Sequence, residues 1–179
     1  DDLILGCAMP EAEQGMNIAR MVGLMAGLPE SVPGMTINRY CSSGLQSIAL
    51  ASDRINLGDA QAMLAGGLES MSMLPMGGHK IAPNPELVQM RPESYMTMGL
   101  TAERVAEKYG ISREAQDEFS YNSHQKAVAA IQGGNFKDEI APYTWTETQL
   151  DAHRKEKSIE RTLAVDEGPR ADTSLDALK

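Results

Sequence analysis

The stretch TINRYCSSGLQSIALASDRINLGDAQAMLAGGLESMS, residues Thr36–Ser72, decides the fold. The apolar run at its start predicts a strand at Met35–Ile37. Small and apolar side chains at helical spacing then predict a helix over Ser42–Leu57, and we expect this helix to be buried on most sides. AQAMLAGG, residues 60–67, predicts a buried strand that ends in two glycines. A strand, a helix and a strand within about 30 residues form a βαβ unit with parallel strands.

The flanking segments extend this pattern into a chain of mixed helix and strand. Apolar runs, helical spacing and turn residues predict the remaining elements. These are a strand at Leu3–Cys7, a helix at Glu11–Leu28, irregular chain over Pro75–Met98, helices at Thr101–Tyr109 and Arg113–Gln132, a strand-like stretch at 136–145 and a charged, solvated turn or hairpin tip at Asp151–Arg161. The break at Pro75 predicts an α/β core domain over 1–75 and a helical, loop-rich domain over 76–179.

Composition and charge restrict the class of partner. The chain of 179 residues has a formal net charge of -9 and a sequence pI of about 4.8, so it lacks the basic surface that nucleic acids require. An anionic small molecule stays possible where a few basic residues converge. No run approaches the roughly 18 apolar residues of a membrane span, and no signal peptide is visible.

The cysteine count predicts neither a disulfide framework nor a metal site. Cys7 and Cys41 are the two cysteines, and their spacing fits no metal-ligand pattern. We therefore expect a reduced, cytoplasmic setting and no bound metal. A strand-like stretch at the very start and a helical pattern at the very end predict that the chain was cut from a longer protein.

Cys41 lies where a predicted strand meets a predicted helix. The first turn of a helix carries unpaired N–H groups and a partial positive charge, which stabilise a thiolate, the reactive form of cysteine. Ser42 and Ser43 can cap the helix, and nearby N–H groups could hold the oxyanion of an acyl intermediate. The arrangement suits acyl transfer through a thioester. Free cysteines are also often buried and inert, so the spacing alone leaves both interpretations open.

Several separate motifs resemble the thiolase family. NRYCSSGLQ and DAQAMLAGGLESMS resemble its nucleophile region, and MGLTAERVAEKYGISREAQDEF, FKDEIAPY and DEGPRADTSLDALK continue the match in order over essentially the whole chain. The resemblance is closest to the bacterial 3-ketoacyl-CoA thiolase or acetyl-CoA acetyltransferase group. It implies an α/β fold: a thiolase-like βαβ layer with a mixed sheet and a buried nucleophile helix, and a loop domain that covers coenzyme A. The fold would be incomplete here.

The resemblance also implies an activity and its residues. Cys41 would be the residue that the substrate acylates, in thiolytic cleavage of a 3-ketoacyl-CoA or in the reverse Claisen condensation. Met98 matches a methionine along the pantetheine path, and Arg170 matches an arginine near the nucleotide of coenzyme A. Coenzyme A and acyl-CoA would be substrates, with no permanently bound cofactor. The whole protein would be a homodimer or a homotetramer.

Departures from the family pattern are informative. Thr97 stands where biosynthetic thiolases carry a histidine, which favours a degradative enzyme, and Ala177 replaces a serine near coenzyme A. The GHP, CxGGG and NEAFA motifs of the second thiolase half are absent from the sequence. His79, His124 and His153 lie outside such motifs and are predicted to be surface residues. Because acyl transfer needs a base, we expect this segment to be inactive by itself.

Three alternatives to the enzyme stay open. The first is a non-catalytic thiolase-like protein that binds acyl-CoA or lipid, against which the intact YCSSG argues. The second is a ketoacyl synthase acting on a carrier protein, although GGLESMS and MGLTAE fit thiolases better. The third, for this chain taken alone, is a structural or assembly segment, because a lone half would expose apolar surface and strand edges.

Overall fold

The computed structural model describes residues 1–150 and 154–179 and divides them into two compact units. The first unit is Asp1–Pro92 and the second is Glu93–Lys179. This division reflects compactness, so the assignment of 1–75 to a core domain and 76–179 to a loop domain stays a prediction. Within the described part of the chain, no helix is both long enough and apolar enough to span a bilayer.

A three-stranded sheet organises the first unit. Its strands are β1 (Asp2–Gly6), β2 (Gly34–Ile37) and β3 (Met63–Gly67), in the spatial order β2-β1-β3. Both pairings are parallel, with Leu3 opposite Gly34 on one side and opposite Leu64 on the other. The α/β prediction is therefore confirmed. The strands of this sheet pair in parallel, and the antiparallel pairing of β-strands lies in a separate hairpin in the second unit.

Two helices, α1 (Ile18–Met25) and α2 (Ser43–Asn56), pack against this sheet. α2 joins β2 to β3, which confirms the predicted strand–helix–strand order. Its buried side chains are Ser43, Ser47 and Ala51, all on one face. The prediction that α2 is buried on most sides is wrong for the described residues, since Leu45 is 71% exposed and Ile48 is 55% exposed. The small sheet covers only one side of the helix.

The helix predicted over Glu11–Leu28 is broken in the structure. A 3-10 turn at Ala12–Gln14 comes first, and α1 begins only at Ile18 because Met16 and Asn17 have positive φ. Tertiary hydrogen bonds stabilise this break. The Asn17 side chain donates to the Gly34 carbonyl at 2.8 Å and accepts from the Thr36 hydroxyl at 2.8 Å. These bonds to β2 outweigh the local helical pattern.

The segment between the sheet and the second unit is more regular than expected. The predicted irregular chain over Pro75–Met98 contains α3 (Pro85–Met90) and a 3-10 turn at Pro92–Tyr95. The N-cap Asn84 accepts the Leu87 N–H at 3.1 Å, and a proline fills the first helical position. The Asn-Pro-Glu sequence is a signal for the start of a helix. The prediction of irregular chain overlooked it because the segment is rich in proline.

The second unit combines helices with an antiparallel hairpin. It contains α4 (Met98–Tyr109), α5 (Arg113–Gln132), β4 (Tyr143–Leu150), β5 (Glu156–Leu163) and α6 (Leu175–Leu178). The prediction of α5 is confirmed at both ends, and the Ser112 side chain caps it by accepting the Ala115 N–H at 3.2 Å.

The charged turn or hairpin tip predicted over Asp151–Arg161 extends too far, because the residues from Glu156 onward belong to a strand. Those residues form β5, which pairs along its whole length with β4. The Arg161 Nε atom donates to Glu147 Oε2 across the hairpin at 2.9 Å, so these two charges form a cross-strand pair. The first part of the predicted turn, including His153, lies outside the described residues.

Candidate active site

Cys41 lies in a short turn between a strand and a helix. β2 ends at Ile37, a 3-10 turn covers Tyr40–Ser42, and α2 starts at Ser43. This places the cysteine beyond the carboxyl end of a parallel strand, the edge where open α/β sheets bind ligands. Cys41 is exposed, whereas most unreactive cysteines are buried. The structure thus confirms the predicted strand–helix junction, and the role of Cys41 as nucleophile stays a prediction.

Side chains on both sides of the cysteine hold this turn. Tyr40 has a φ of 47°, a left-handed conformation that a bulky residue adopts only when its surroundings enforce it. The Ser43 hydroxyl donates to the Tyr40 carbonyl at 2.6 Å and accepts the Arg39 N–H at 2.8 Å. Ser43 is only 4% exposed. The serines therefore do not cap α2 with their side chains as expected, because Ser43 binds the turn and Ser42 makes no capping bond.

The last residue of β1, Gly6, lets the start of α2 approach the sheet. A Cβ atom on Gly6, the last residue of β1, would lie 2.4 Å from the Ser43 carbonyl carbon and 2.7 Å from the Gly44 nitrogen. A Cβ atom on Gly67, the last residue of β3, would make only an ordinary contact with α2, at 3.6 Å from the Gly44 Cα. The position of Cys41 therefore depends on the absence of a side chain at Gly6.

A second polar cluster, formed by Cys7, Gln14 and Glu69, lies at the carboxyl ends of β1 and β3. Gln14 Nε2 lies 2.6 Å from Glu69 Oε1 and 3.4 Å from Cys7 Sγ. Glu69 also accepts the Ala8 N–H at 2.6 Å and the Met9 N–H at 3.3 Å. The cluster ties the segment after β1 to the segment after β3. Sequence reasoning missed this cluster, because Glu69 meets Cys7 and Gln14 only after β1 and β3 have paired.

Burial and charge shift the ionisation of this cluster. Burial raises the pKa of the Cys7 thiol, and the negative charge of Glu69 raises it further. Burial would also raise the pKa of the Glu69 carboxyl, but hydrogen bonds from Ala8, Gln14 and Met9 outweigh it and lower that pKa. Glu69 is therefore ionised and Cys7 is a neutral thiol near neutral pH, so Cys7 is a poor nucleophile.

The other two predicted site residues lie in the second unit. Met98 is the first residue of α4 and is 68% exposed. Arg170 follows β5, and its guanidinium contacts Asp172 with 3.2 Å between Nη2 and Oδ2. The hydrogen bond and charge of Arg170 lower the pKa of Asp172. The roles of Met98 and Arg170 toward coenzyme A stay predictions.

The histidines occupy different environments. His79 is exposed, as predicted, and its backbone N–H donates to Glu11. His124 on α5 is half-buried, and its Nδ1 atom accepts the Arg170 N–H at 3.1 Å. The surface prediction for His124 is therefore only partly right, since the chain around Arg170 folds over it. In residues 1–150 and 154–179, no three His, Cys, Asp or Glu side chains form a group that could hold a metal ion.

Comparison with known proteins defines the class. A family model described as the thiolase N-terminal domain matches residues 1–179, and the chain belongs to the thiolase family. The chain is 54% identical to a 3-ketoacyl-CoA thiolase of Bacillus subtilis (strain 168) over 178 residues, which are 99% of this chain and 46% of that protein. It is 41% identical to a beta-ketoadipyl-CoA thiolase of Acinetobacter baylyi, covering 99% of this chain and 46% of that protein.

A solved structure supports the same fold. The crystal structure of the Bacillus anthracis acetyl-CoA acetyltransferase matches with a TM-score of 0.78 and 36% identity, over 99% of this chain and 45% of that one. The fold is therefore a partial thiolase fold. The chain spans about half the length of the relatives that it matches.

Proposed function

We propose that this chain is the nucleophile-bearing half of a 3-ketoacyl-CoA thiolase and that Cys41 carries the acyl group. The observation that carries the proposal is the exposed Cys41 in a tightly held turn at the ligand-binding edge of a parallel sheet. The names of the relatives reported above support the substrate class. A protein that only binds acyl-CoA has no use for a thiol held in this way.

The reaction follows from the chemistry of a thiolate and a 3-ketoacyl-CoA. The Cys41 sulfur attacks the 3-keto carbon, and the bond between C2 and C3 breaks. Its electron pair stays on C2, which takes up a proton as acetyl-CoA leaves. The thiol of a free coenzyme A then attacks the acyl-Cys41 thioester, which releases a shortened acyl-CoA and restores Cys41. The reverse sequence is a Claisen condensation, and Thr97 supports the degradative direction.

The second half of a thiolase would supply the base that this sequence lacks. Deprotonating Cys41 and protonating C2 both need a titratable group, and the GHP and CxGGG motifs are absent from the sequence. We therefore expect the 179-residue chain alone to show no thiolase turnover. In the proposed whole protein, a cytoplasmic homodimer or homotetramer, Met98 and Arg170 contact coenzyme A and no resident cofactor is needed. Robust turnover by the isolated 179-residue chain would contradict the need for a second half.

Acylation of Cys41 is the direct test of this function. The protein, at the full length that its gene encodes, is incubated with acetyl-CoA, and the modified peptide is identified by mass spectrometry. We expect one acetyl group on Cys41, none in Cys41→Ala, and full acetylation in the matched control Cys7→Ala. Thiolysis of a 3-ketoacyl-CoA should follow the same order. Turnover that survives Cys41→Ala would refute the assignment, and acyl-CoA binding without acetylation would favour the non-catalytic binder.

A further inference from the structure

The Glu69 carboxylate is the start of a chain of hydrogen bonds that ends beside Cys41. Its Oε1 atom accepts the Met9 N–H at 3.3 Å, and its Oε2 atom accepts the Ala8 N–H at 2.6 Å. The Met9 N–H and the Ala8 carbonyl belong to the same peptide group. A peptide group that donates to a carboxylate becomes a stronger acceptor at its own oxygen. The charge of Glu69 therefore strengthens the next bond at the Ala8 carbonyl.

Asn38 makes that next bond and carries the chain into the turn. Its Nδ2 atom donates to the Ala8 carbonyl at 3.0 Å, and its Oδ1 atom accepts the Tyr40 N–H at 2.8 Å. The Tyr40 N–H and the Arg39 carbonyl belong to the same peptide group, and this carbonyl accepts the Ser42 N–H at 3.1 Å. Each amide thus donates in the same direction, toward Glu69. The last two bonds hold the residues directly before and directly after Cys41.

We propose that Glu69 and Asn38 are positioning residues for Cys41: the Glu69 carboxylate orders an aligned chain of amide hydrogen bonds that fixes the turn on both sides of the sulfur. The proposal rests on the proposed function of Cys41 and adds residues to it that do not touch the substrate. The turn needs such support because Tyr40 has a positive φ. A small displacement of a reacting group costs a large part of the rate, so these bonds should affect the reactivity of Cys41.

Two conservative variants break the chain at different points. Asn38→Asp keeps the shape and the Oδ1 acceptor for the Tyr40 N–H, but it replaces the donor to the Ala8 carbonyl by an oxygen and adds a negative charge. Glu69→Gln removes the charge and one acceptor. Asn56→Asp, at the exposed end of α2, and Glu13→Gln, at an exposed position of the 3-10 turn Ala12–Gln14, are the matched controls. Asn38 is exposed, so its isosteric replacement should leave the fold intact and decide the question if Glu69→Gln does not fold.

The test compares the reactivity of Cys41 with catalysis in the full-length protein. The rate of Cys41 alkylation by iodoacetamide is measured from neutral to alkaline pH by peptide mass spectrometry, beside kcat, KM and the melting temperature. We expect both variants to lower kcat and the alkylation rate about tenfold or more, to alter the pH profile of alkylation, and to leave KM nearly unchanged. The double variant, with both Asn38→Asp and Glu69→Gln, should be no slower than the slower of the two single variants. Both substitutions break the same chain of hydrogen bonds, so their effects should not add. The controls should behave like the wild type.

Two results would overturn the proposal. One is a wild-type alkylation rate and pH profile in Asn38→Asp. The other is a double variant whose losses multiply, as at independent sites. The failure of the proposed function looks different. The wild-type protein would then be alkylated at Cys41 but never acetylated by acetyl-CoA, and the alkylation rates would still test the positioning role.

Discussion

At the scale of single residues, the two cysteines occupy opposite environments. Cys41 is exposed in a turn, whereas Cys7 is 0% exposed at the end of β1 and packs beside the Glu69 carboxylate. Burial and the neighbouring charge raise the pKa of the Cys7 thiol. Both effects suppress the thiolate that nucleophilic chemistry requires. One cysteine is therefore built into the core, and the other is available to a substrate.

This contrast predicts selective labelling. In the native protein, iodoacetamide should modify Cys41 and leave Cys7 unmodified, and unfolding in urea should expose both. Peptide mass spectrometry before and after unfolding measures the two rates separately. Cys7→Ala is the control, and its native labelling should equal that of the wild type. Equal rates of labelling at Cys7 and Cys41 in the folded protein would contradict the buried environment of Cys7.

The lowered pKa of Glu69 predicts a loss of stability in acid. A carboxyl whose folded pKa lies below its unfolded value, about 4.3 for glutamate, stabilises the fold above that value. This stabilisation disappears as the pH falls through the lower folded value. The free energy of unfolding in urea should therefore fall more steeply in acid for the wild type than for Glu69→Gln. The control Glu13→Gln should show the same pH dependence as the wild type. A difference in the free energy of unfolding between the wild type and Glu69→Gln that stays constant with pH would contradict the prediction.

At the scale of elements, the contact between β1 and the start of α2 controls the active turn. Ser43 begins α2 directly over Gly6, which leaves no room for a side chain. The Ser47 hydroxyl joins the same helix to β3, with 2.8 Å between Ser47 Oγ and the Gly66 oxygen. These contacts are made by backbone and small side chains, so they are short and sensitive to added atoms.

Gly6→Ala should therefore be much more damaging than its size suggests. The new methyl group would push against the backbone of Ser43, and overpacking of this kind costs about 1–3 kcal/mol. We expect a lower free energy of unfolding in urea and slower alkylation of Cys41. Gly99→Ala in α4 is the control, since its Cβ would meet nothing within 4 Å. That change should be neutral or stabilising by about 0.4–1 kcal/mol. A Gly6→Ala protein as stable as the wild type would contradict the close approach.

At the scale of the whole molecule, α2 exposes an apolar face that the sheet does not cover. Leu45 and Ile48 lie on the side of the helix turned away from the sheet, and both are largely exposed. The relatives are about twice as long as this chain, so their further residues can supply a cover for such a face. Uncovered apolar surface favours association in water.

We expect the 179-residue chain alone to self-associate through this face. Burying an isoleucine contributes about 1.5–3 kcal/mol, so Ile48→Glu should weaken association by roughly tenfold or more in sedimentation equilibrium. Gln46→Glu, which adds the same charge on a different side of α2 without removing apolar surface, is the control. A chain that stays monomeric, or an equal effect of the two variants, would exclude this face as the contact.

Local patterns were sufficient for several elements and for the place of Cys41. The bounds of α5 follow from its Ser112 cap and a Gly-Gly stop, and the strand–helix–strand order around Cys41 follows from apolar runs separated by turn residues. These features depend on neighbours in sequence, because capping and periodicity act within one or two turns. The family motifs added the activity and the candidate roles of Met98 and Arg170, which stay predictions.

The sequence by itself determined the α/β class, the helix that follows Cys41 and the family, because each depends on short contiguous motifs. Only the tertiary structure decided where the helix after β1 breaks, that β5 is a strand, and which side chains support the cysteine. Asn17 finds Thr36, and Glu69 reaches Ala8 and Gln14, only after distant strands have paired in parallel. Those hydrogen bonds join residues far apart in the chain, so no local pattern could have predicted them.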